Sequence, residues 1–155
     1  MTITSAICNS FKQEILVEGH NFTNGTDTFK ISLYSSDSAT LNKSTTAYTA
    51  PADGTADPTN TYEVTSTSSG YTTGGNSLTS TTPVLSGDTA CCKFADTSWG
   101  SSASFTARGC LIYNSTNSNK AVCAINFGAD KTVTSGTFTI QFPAQTAGNA
   151  IFQIA

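Results

Sequence analysis

The sequence predicts an all-β protein: an antiparallel β-sandwich or jelly-roll-like barrel of about eight strands, with one short N-terminal helix. Three observations carry that reading. About a third of the chain is Ser or Thr, while charged residues make up only 11%. Thr favours strands and Ser, Asn and Gly favour turns, so long helices are disfavoured. Runs such as 136–142 (Gly-Thr-Phe-Thr-Ile-Gln-Phe) alternate apolar with small polar residues, which is the period of a half-buried strand. Polar turn clusters separate these runs at short intervals, as strands that double back on one another require.

Taken in order, residues 9–19 form the one predicted helix, with Ser10 as N-cap, Gln13 as its capping-box partner and Gly19 as the stop. Phe11, Ile15 and Glu18 share one side, with Leu16 beside it. That stripe is narrow, and a helix of two turns persists only when docked on a sheet. Residues 27–34 alternate cleanly, with Phe29, Ile31 and Leu33 pointing one way and Lys30, Ser32 and Tyr34 the other. From Ser35 to about Gly70 the signal weakens. Pro51, Asp53-Gly54, Asp57-Pro58 and Asn60 mark a long loop, with Tyr48 as an anchor and 62–64 as a short strand. A stretch this long without regular structure points to an interaction role.

Residues 70–75 read as a turn, 77–79 restart extended structure, and 87–88 turn the chain into a strand at 89–94. Residues 96–102, containing Trp99 and Gly100, form another bend. Residues 104–113 and 121–127 make the strongest hairpin, joined by the loop 114–119. Residues 128–131 are turn-like, and 137–142 and 150–154 supply the closing strands.

At 155 residues, the chain reads as a single β domain, 1–155, large enough to hold a core without staples. The net charge of −3 provides no basic face for phosphate neutralisation, which argues against a nucleic-acid reader. No run approaches the ~20 apolar residues of a membrane span, and no basic segment followed by an apolar one opens the chain. No membrane partner is expected, and synthesis in a cytoplasm is. The five cysteines (Cys8, Cys91, Cys92, Cys110, Cys123) form no C-x-x-C pair and have a single histidine for company, so no zinc site is expected. An odd count favours buried free thiols. Cys110 and Cys123 are the best placed for a disulfide, provided the hairpin register brings their Cβ atoms to ~3.5–4.5 Å.

Reactive chemistry is sparse. A Ser-His-Asp site would have to use His20, which follows the helix and has no nucleophile motif near it. The plainer reading is an exposed or hydrogen-bonded loop histidine. The carboxylates Glu14, Glu18, Glu63, Asp88, Asp96 and Asp130 lie on the helix or in unrelated turns, where they cap backbone groups rather than form a glycosidase pair. Gly74-Gly75 is a turn pair and not a phosphate loop, since no Gly-Lys-Ser/Thr follows. The Asn-x-Ser/Thr matches at Asn21, Asn24, Asn42 and Asn114 are expected by chance in so Ser/Thr-rich a chain. Trp99 either packs at a core corner or anchors a partner. Arg108 pairs with a carboxylate such as Asp96 or points to solvent. Catalytic residues, cofactors and metals are all expected to be none.

Five segments together resemble a family of small virion structural proteins of tailed bacteriophages. They are 8–16 (Cys-Asn-Ser-Phe-Lys-Gln-Glu-Ile-Leu), 27–34 (Asp-Thr-Phe-Lys-Ile-Ser-Leu-Tyr), 70–75 (Gly-Tyr-Thr-Thr-Gly-Gly), 107–114 (Ala-Arg-Gly-Cys-Leu-Ile-Tyr-Asn) and 136–143 (Gly-Thr-Phe-Thr-Ile-Gln-Phe-Pro). They span nearly the whole chain, with residues 50–60 standing as an insertion. The resemblance implies a non-enzymatic particle component. The expected function is a capsid decoration (cement) protein on the outer surface of the head, with the major capsid protein as partner and a homo-oligomer such as a trimer as the assembled form. Its docking elements would be an N-terminal arm, 1–9, carrying Ile3 and Ile7, and the partner-facing loop region 35–70 with Tyr48; Trp99 is the further contact. Two alternatives stand beside it: a tail, neck or fibre-base protein, and a carbohydrate-binding β-sandwich using Trp99, Tyr48, Tyr62 and Tyr71 as stacking platforms.

Overall fold

The computed structural model describes residues 2–35, 39–49, 62–65, 68 and 70–155. The chain runs β1 (Ala6–Ile7), α1 (Asn9–Glu14), a 3-10 turn (Ile15–Val17), β2 (Phe29–Tyr34), β3 (Asn76–Leu78), β4 (Ser80–Ser86), β5 (Thr89–Phe94), β6 (Thr97–Asn114), β7 (Lys120–Ile140) and β8 (Phe152–Ile154). The strands form two antiparallel sheets, one ordered β1-β7-β6-β2-β3 and the other β4-β5-β8. This is the expected all-β, sandwich-like fold with one short N-terminal helix. The chain crosses between sheets at Thr79, the single residue between β3 and β4.

The sheets meet through aromatic rings. Phe29 of β2 and Phe94 of β5 stand 5.4 Å apart, and Phe22 stacks on Phe29 at 4.5 Å. Phe11 fixes α1 to the second sheet by lying 5.5 Å from Phe152 of β8. Burying each such ring stabilises the fold by roughly 1.5–3 kcal/mol, which is what holds a helix of six residues in place.

The alternation of β2 is present, but both of its faces are covered. Ser32 and Tyr34, expected on the open side, are buried along with Phe29, Ile31 and Leu33. The cover comes from Ile3, which packs against Gly109 of β6, and from Leu41, Tyr48, Val64 and Tyr71. Residues 39–49 and 62–65, expected as part of a partner-facing loop, therefore form a layer on the protein's own sheet. The short strand expected at 62–64 reduces to one bridge between Glu63 and Tyr34. The turn markers at 51–60, and the insertion they sit in, lie outside the described residues.

The N-terminal segment is likewise part of the fold rather than a free arm. Ala6 and Ile7 pair with Ala124 and Cys123 of β7, and the Thr4 N–H donates to the Leu41 carbonyl at 2.9 Å. The helix begins after Cys8, not Ser10, and carries no side-chain cap; Ser10 is already inside the first turn. Its stop is Glu18 in the left-handed conformation, one residue before the expected Gly19, whose N–H closes the end by donating to the Glu14 carbonyl at 2.7 Å.

The hairpin expected from 104–127 is the spine of the molecule, and it is longer than predicted. β6 spans 18 residues and β7 spans 21. The bend expected at 96–102 is extended strand from Thr97 on, the turn expected at 128–131 is extended strand throughout, and 137–140 continue β7 rather than starting a new one. Register shifts between Trp99 and Ala103 and between Ala107 and Gly109 absorb the Gly and polar residues that suggested turns. The turn at Gly87-Asp88 is a two-residue hairpin with Ser86 opposite Thr89. Its first strand, β4, was concealed by Pro83. A register shift between Thr81 and Val84 brackets that proline, and β4 is an edge strand, where a missing N–H costs no ladder bond.

Candidate docking surface

The open side of the sandwich carries an apolar groove. It runs between β1 and α1 on one bank and β5 and β8 on the other, with Ile7, Phe11, Ile15, Leu16, Phe152 and Ile154 among its lining residues and a volume of about 290 Å³. β1 and β8 are outer strands of their respective sheets, so backbone groups border the groove on both sides. Leu16 is 83% exposed and Ile154 64%. Val17 and Leu85 are exposed beside them, and Leu85 lies in register with Ala90 and, across it, Ile154. Exposed apolar side chains gathered around a concavity mark an interaction surface more strongly than the same residues scattered.

Of the residues expected to meet a partner, the structure brings only Ile7 to this surface, 37% exposed. Ile3, Tyr48 and Trp99 are 1%, 6% and 2% exposed, and all three are corrected to core positions. Tyr48 stacks on Tyr113 at 4.4 Å. Trp99 packs with Tyr71, Phe105 and Phe138 at ring distances of 5.8–6.3 Å, which is the core-corner alternative. Tyr71 is buried too, so three of the four stacking platforms of the carbohydrate-binding reading are occupied by neighbouring rings, and Tyr62 is half-buried. Val17, Leu85 and Ile154 are residues the sequence does not single out, and Leu16, expected beside the docking stripe of the helix, is exposed instead. The available signal was their apolarity at positions where the helix stripe and the strand alternation leave them outside.

The polar clusters are structural ties. Glu63 lies inside the cover layer, where its Oε1 accepts from the Tyr71 hydroxyl at 2.7 Å and the Gly74 N–H at 2.6 Å, and its Oε2 accepts from the Tyr48 hydroxyl at 2.9 Å. Burial raises its carboxyl pKa, against the pull of these three donors and Lys30. The same burial raises the phenols of Tyr48 and Tyr71, with the Glu63 charge adding to it.

His20 is buried, and of the two expected readings it is the hydrogen-bonded one. Asn114 Nδ2 can only donate, so His20 Nδ1 accepts from it at 3.1 Å and Nε2–H faces Glu14 Oε2 at 2.8 Å. Asn114 Nδ2 also donates to Asp27 Oδ2 at 2.7 Å, and Lys120 Nζ stands 3.4 Å from Glu14 Oε1. The chain Glu14–His20–Asn114–Asp27 pins the end of α1 and the 19–27 loop to the β6–β7 turn.

Arg108 meets Asp130 at 3.6 Å rather than Asp96, which instead accepts the Phe142 N–H at 2.8 Å. All five cysteines are free thiols. Cys110 faces Ile125 and Cys123 faces Ile112, so the two sulfurs sit diagonally. Diagonal neighbours stand ~7–8 Å apart, beyond the reach of the expected disulfide. Burial pushes the Cys8 thiol up to about 11 and raises Cys110 and Cys123 as well. No cluster of three or more metal-ligating side chains occurs among the described residues, and no described helix is long and apolar enough to cross a membrane.

A second concavity of about 460 Å³ lies along β7, lined by Ile125, Phe127, Phe138, Ile140 and Phe142 among others. Lys131 is among its lining residues, and most of the rest belong to β7 and the segment that follows it. Comparison of the chain with protein-family profiles, with curated proteins and with solved structures gave no match in any of the three.

Proposed function

We propose that this chain is a non-enzymatic structural protein of a tailed-bacteriophage particle, decorating the outside of the head by docking on the major capsid protein. The observation that carries the reading is the apolar groove between β1 and β8, with Leu16 and Ile154 exposed on its banks. A surface of that kind gains free energy only when something covers it. The five segments that resemble small virion proteins supply the class of partner. A homo-oligomer presenting several copies of the groove around one capsid symmetry axis multiplies a modest contact by avidity. The net charge of −3 leaves apolar burial, not phosphate attraction, as the source of affinity.

Quantitative mass spectrometry of purified particles, normalised to the major capsid protein, tests this directly. A copy number equal to that protein's, or a simple fraction of it, supports decoration of the shell. A handful of copies per particle moves the chain to the neck or tail, and its absence from the particle overturns the proposal.

A further inference from the structure

The exposed turn at residues 23–26 holds the one Asn-Gly step in the sequence, Asn24-Gly25. Gly25 has φ +82°, and nothing stands within 4 Å of where a Cβ would be. The Asn24 N–H leans on Thr82 Oγ1 at 3.5 Å, and the Thr26 N–H closes the turn on the Thr23 carbonyl at 3.1 Å. Between those two ties, neither the Asn24 carboxamide nor the Gly25 N–H is engaged by another described residue. The contrast with other asparagines is chemical. Asn76, Asn114, Asn117 and Asn126 all have side-chain amides held by hydrogen bonds, and each is followed by a residue with a side chain.

We infer that Asn24 is a site of spontaneous deamidation, converting in the folded protein to a mixture of aspartate and isoaspartate. The Gly25 peptide nitrogen attacks Asn24 Cγ, a new N–Cγ bond forms, and the Cγ–Nδ2 bond breaks. Nδ2 leaves as ammonia, taking up the proton the Gly25 nitrogen gives up, and a five-membered succinimide remains. Water then opens the ring. Cleavage at Cγ gives aspartate, and cleavage at the main-chain carbonyl gives isoaspartate, with the chain continuing through the former side chain. No oxidant or reductant takes part.

Glycine at the second position is what makes the approach accessible, because no Cβ blocks the nitrogen from swinging onto Cγ. The free N–H adds to this, since no hydrogen bond is lost on the way. The product carries one more negative charge than the −3 of the parent chain. That charge appears three residues before Asp27, whose Oδ2 already accepts from the Asn21 N–H at 2.8 Å and from Asn114.

The test holds the folded wild-type protein in mildly alkaline buffer and samples it by peptide mapping, with an isoaspartate-specific methyltransferase as the chemical probe. The expected result is conversion at Asn24 several-fold faster than at any other asparagine, absent from Asn24→Gln and slowed in Gly25→Ala. Asn24 lies exposed with a free side chain, so Asn24→Gln keeps the fold. An unchanged Asn24, or another asparagine converting first, overturns the inference. Conversion seen only in chemically unfolded protein also overturns it, because the turn would then protect rather than expose the step.

Discussion

The Tyr71 hydroxyl donates to Glu63 Oε1 at 2.7 Å while accepting the Leu33 N–H at 3.0 Å. Tyr71 thus joins the cover layer to the backbone of β2 through a carboxylate held away from water. Glu63→Ala should leave two phenols and the Gly74 N–H without their acceptor. The expected destabilisation is about 3 kcal/mol, from buried donors at roughly 1–3 kcal/mol each with partial relaxation, read from chemical denaturation against wild type. An unchanged midpoint would show that the layer is held by its apolar contacts alone.

The same carboxylate gives a pH dependence with a definite sign. Its folded pKa is raised above the ordinary 4.5, chiefly by burial. Its contribution to stability is therefore fully present below the unfolded pKa and is lost as pH rises through the folded one. Glu63→Gln does not titrate. Wild type should lose stability relative to Glu63→Gln as pH climbs from about 4.5, and a difference that grows in the opposite direction would reverse the assignment of burial as the dominant cause.

Gly75 rests against β2 so closely that a Cβ there would lie 1.7 Å from the Ile31 carbonyl oxygen, at φ +70°. Neither the backbone nor the neighbouring strand can yield that distance. Gly75→Ala should cost about 3 kcal/mol or more, seen as loss of soluble protein or a large drop in melting temperature, while Gly87→Ala, in open space, should keep the fold at a smaller cost.

Leu16→Asp and Ile154→Asp separate docking from folding. Both side chains are mostly in water already, so stability should change by no more than about 0.5 kcal/mol. Retention on purified heads in a sedimentation assay should fall sharply in each, and further in the double variant. Full retention of both would remove the groove from the interface.

Thiol chemistry should follow burial. Cys8, Cys91, Cys110 and Cys123 are buried, whereas Cys92, although burial raises its thiol pKa too, is only half-buried and so within reach of reagent. Alkylation of the native protein should therefore reach Cys92 first, and all five should react in denaturant. A native non-reducing digest containing a Cys110–Cys123 linked peptide would contradict the hairpin register.

The strand alternation and the single helix were legible because each is a local pattern: Phe29, Ile31 and Leu33 declare a strand without reference to anything distant. The second half of β7 was not, because Gly128, Asp130 and Lys131 carry turn composition and the segment becomes strand only through pairing with a partner about 24 to 43 residues earlier, from Ala107 opposite Lys131 to Thr97 opposite Ile140. Glu63 was equally hidden. One carboxylate in a weakly patterned stretch reads as surface, and only Tyr48, Tyr71 and Gly74, drawn together by the fold, make it interior. The groove was half visible: Ile7 was noticed, yet its opposite bank comes from β8, which no local pattern connects to β1.

That separation has a consequence for biogenesis. One bank of the groove is fixed by Ile7, whose own place depends on Cys123 of β7, and the other by Phe152 to Ile154. During vectorial synthesis the first bank has nothing to lean on until the long hairpin has emerged, and the second does not exist until β8 has followed it. A polypeptide stalled or clipped before β8 would display half a groove, so the surface is whole only in molecules that have made both the long hairpin and β8.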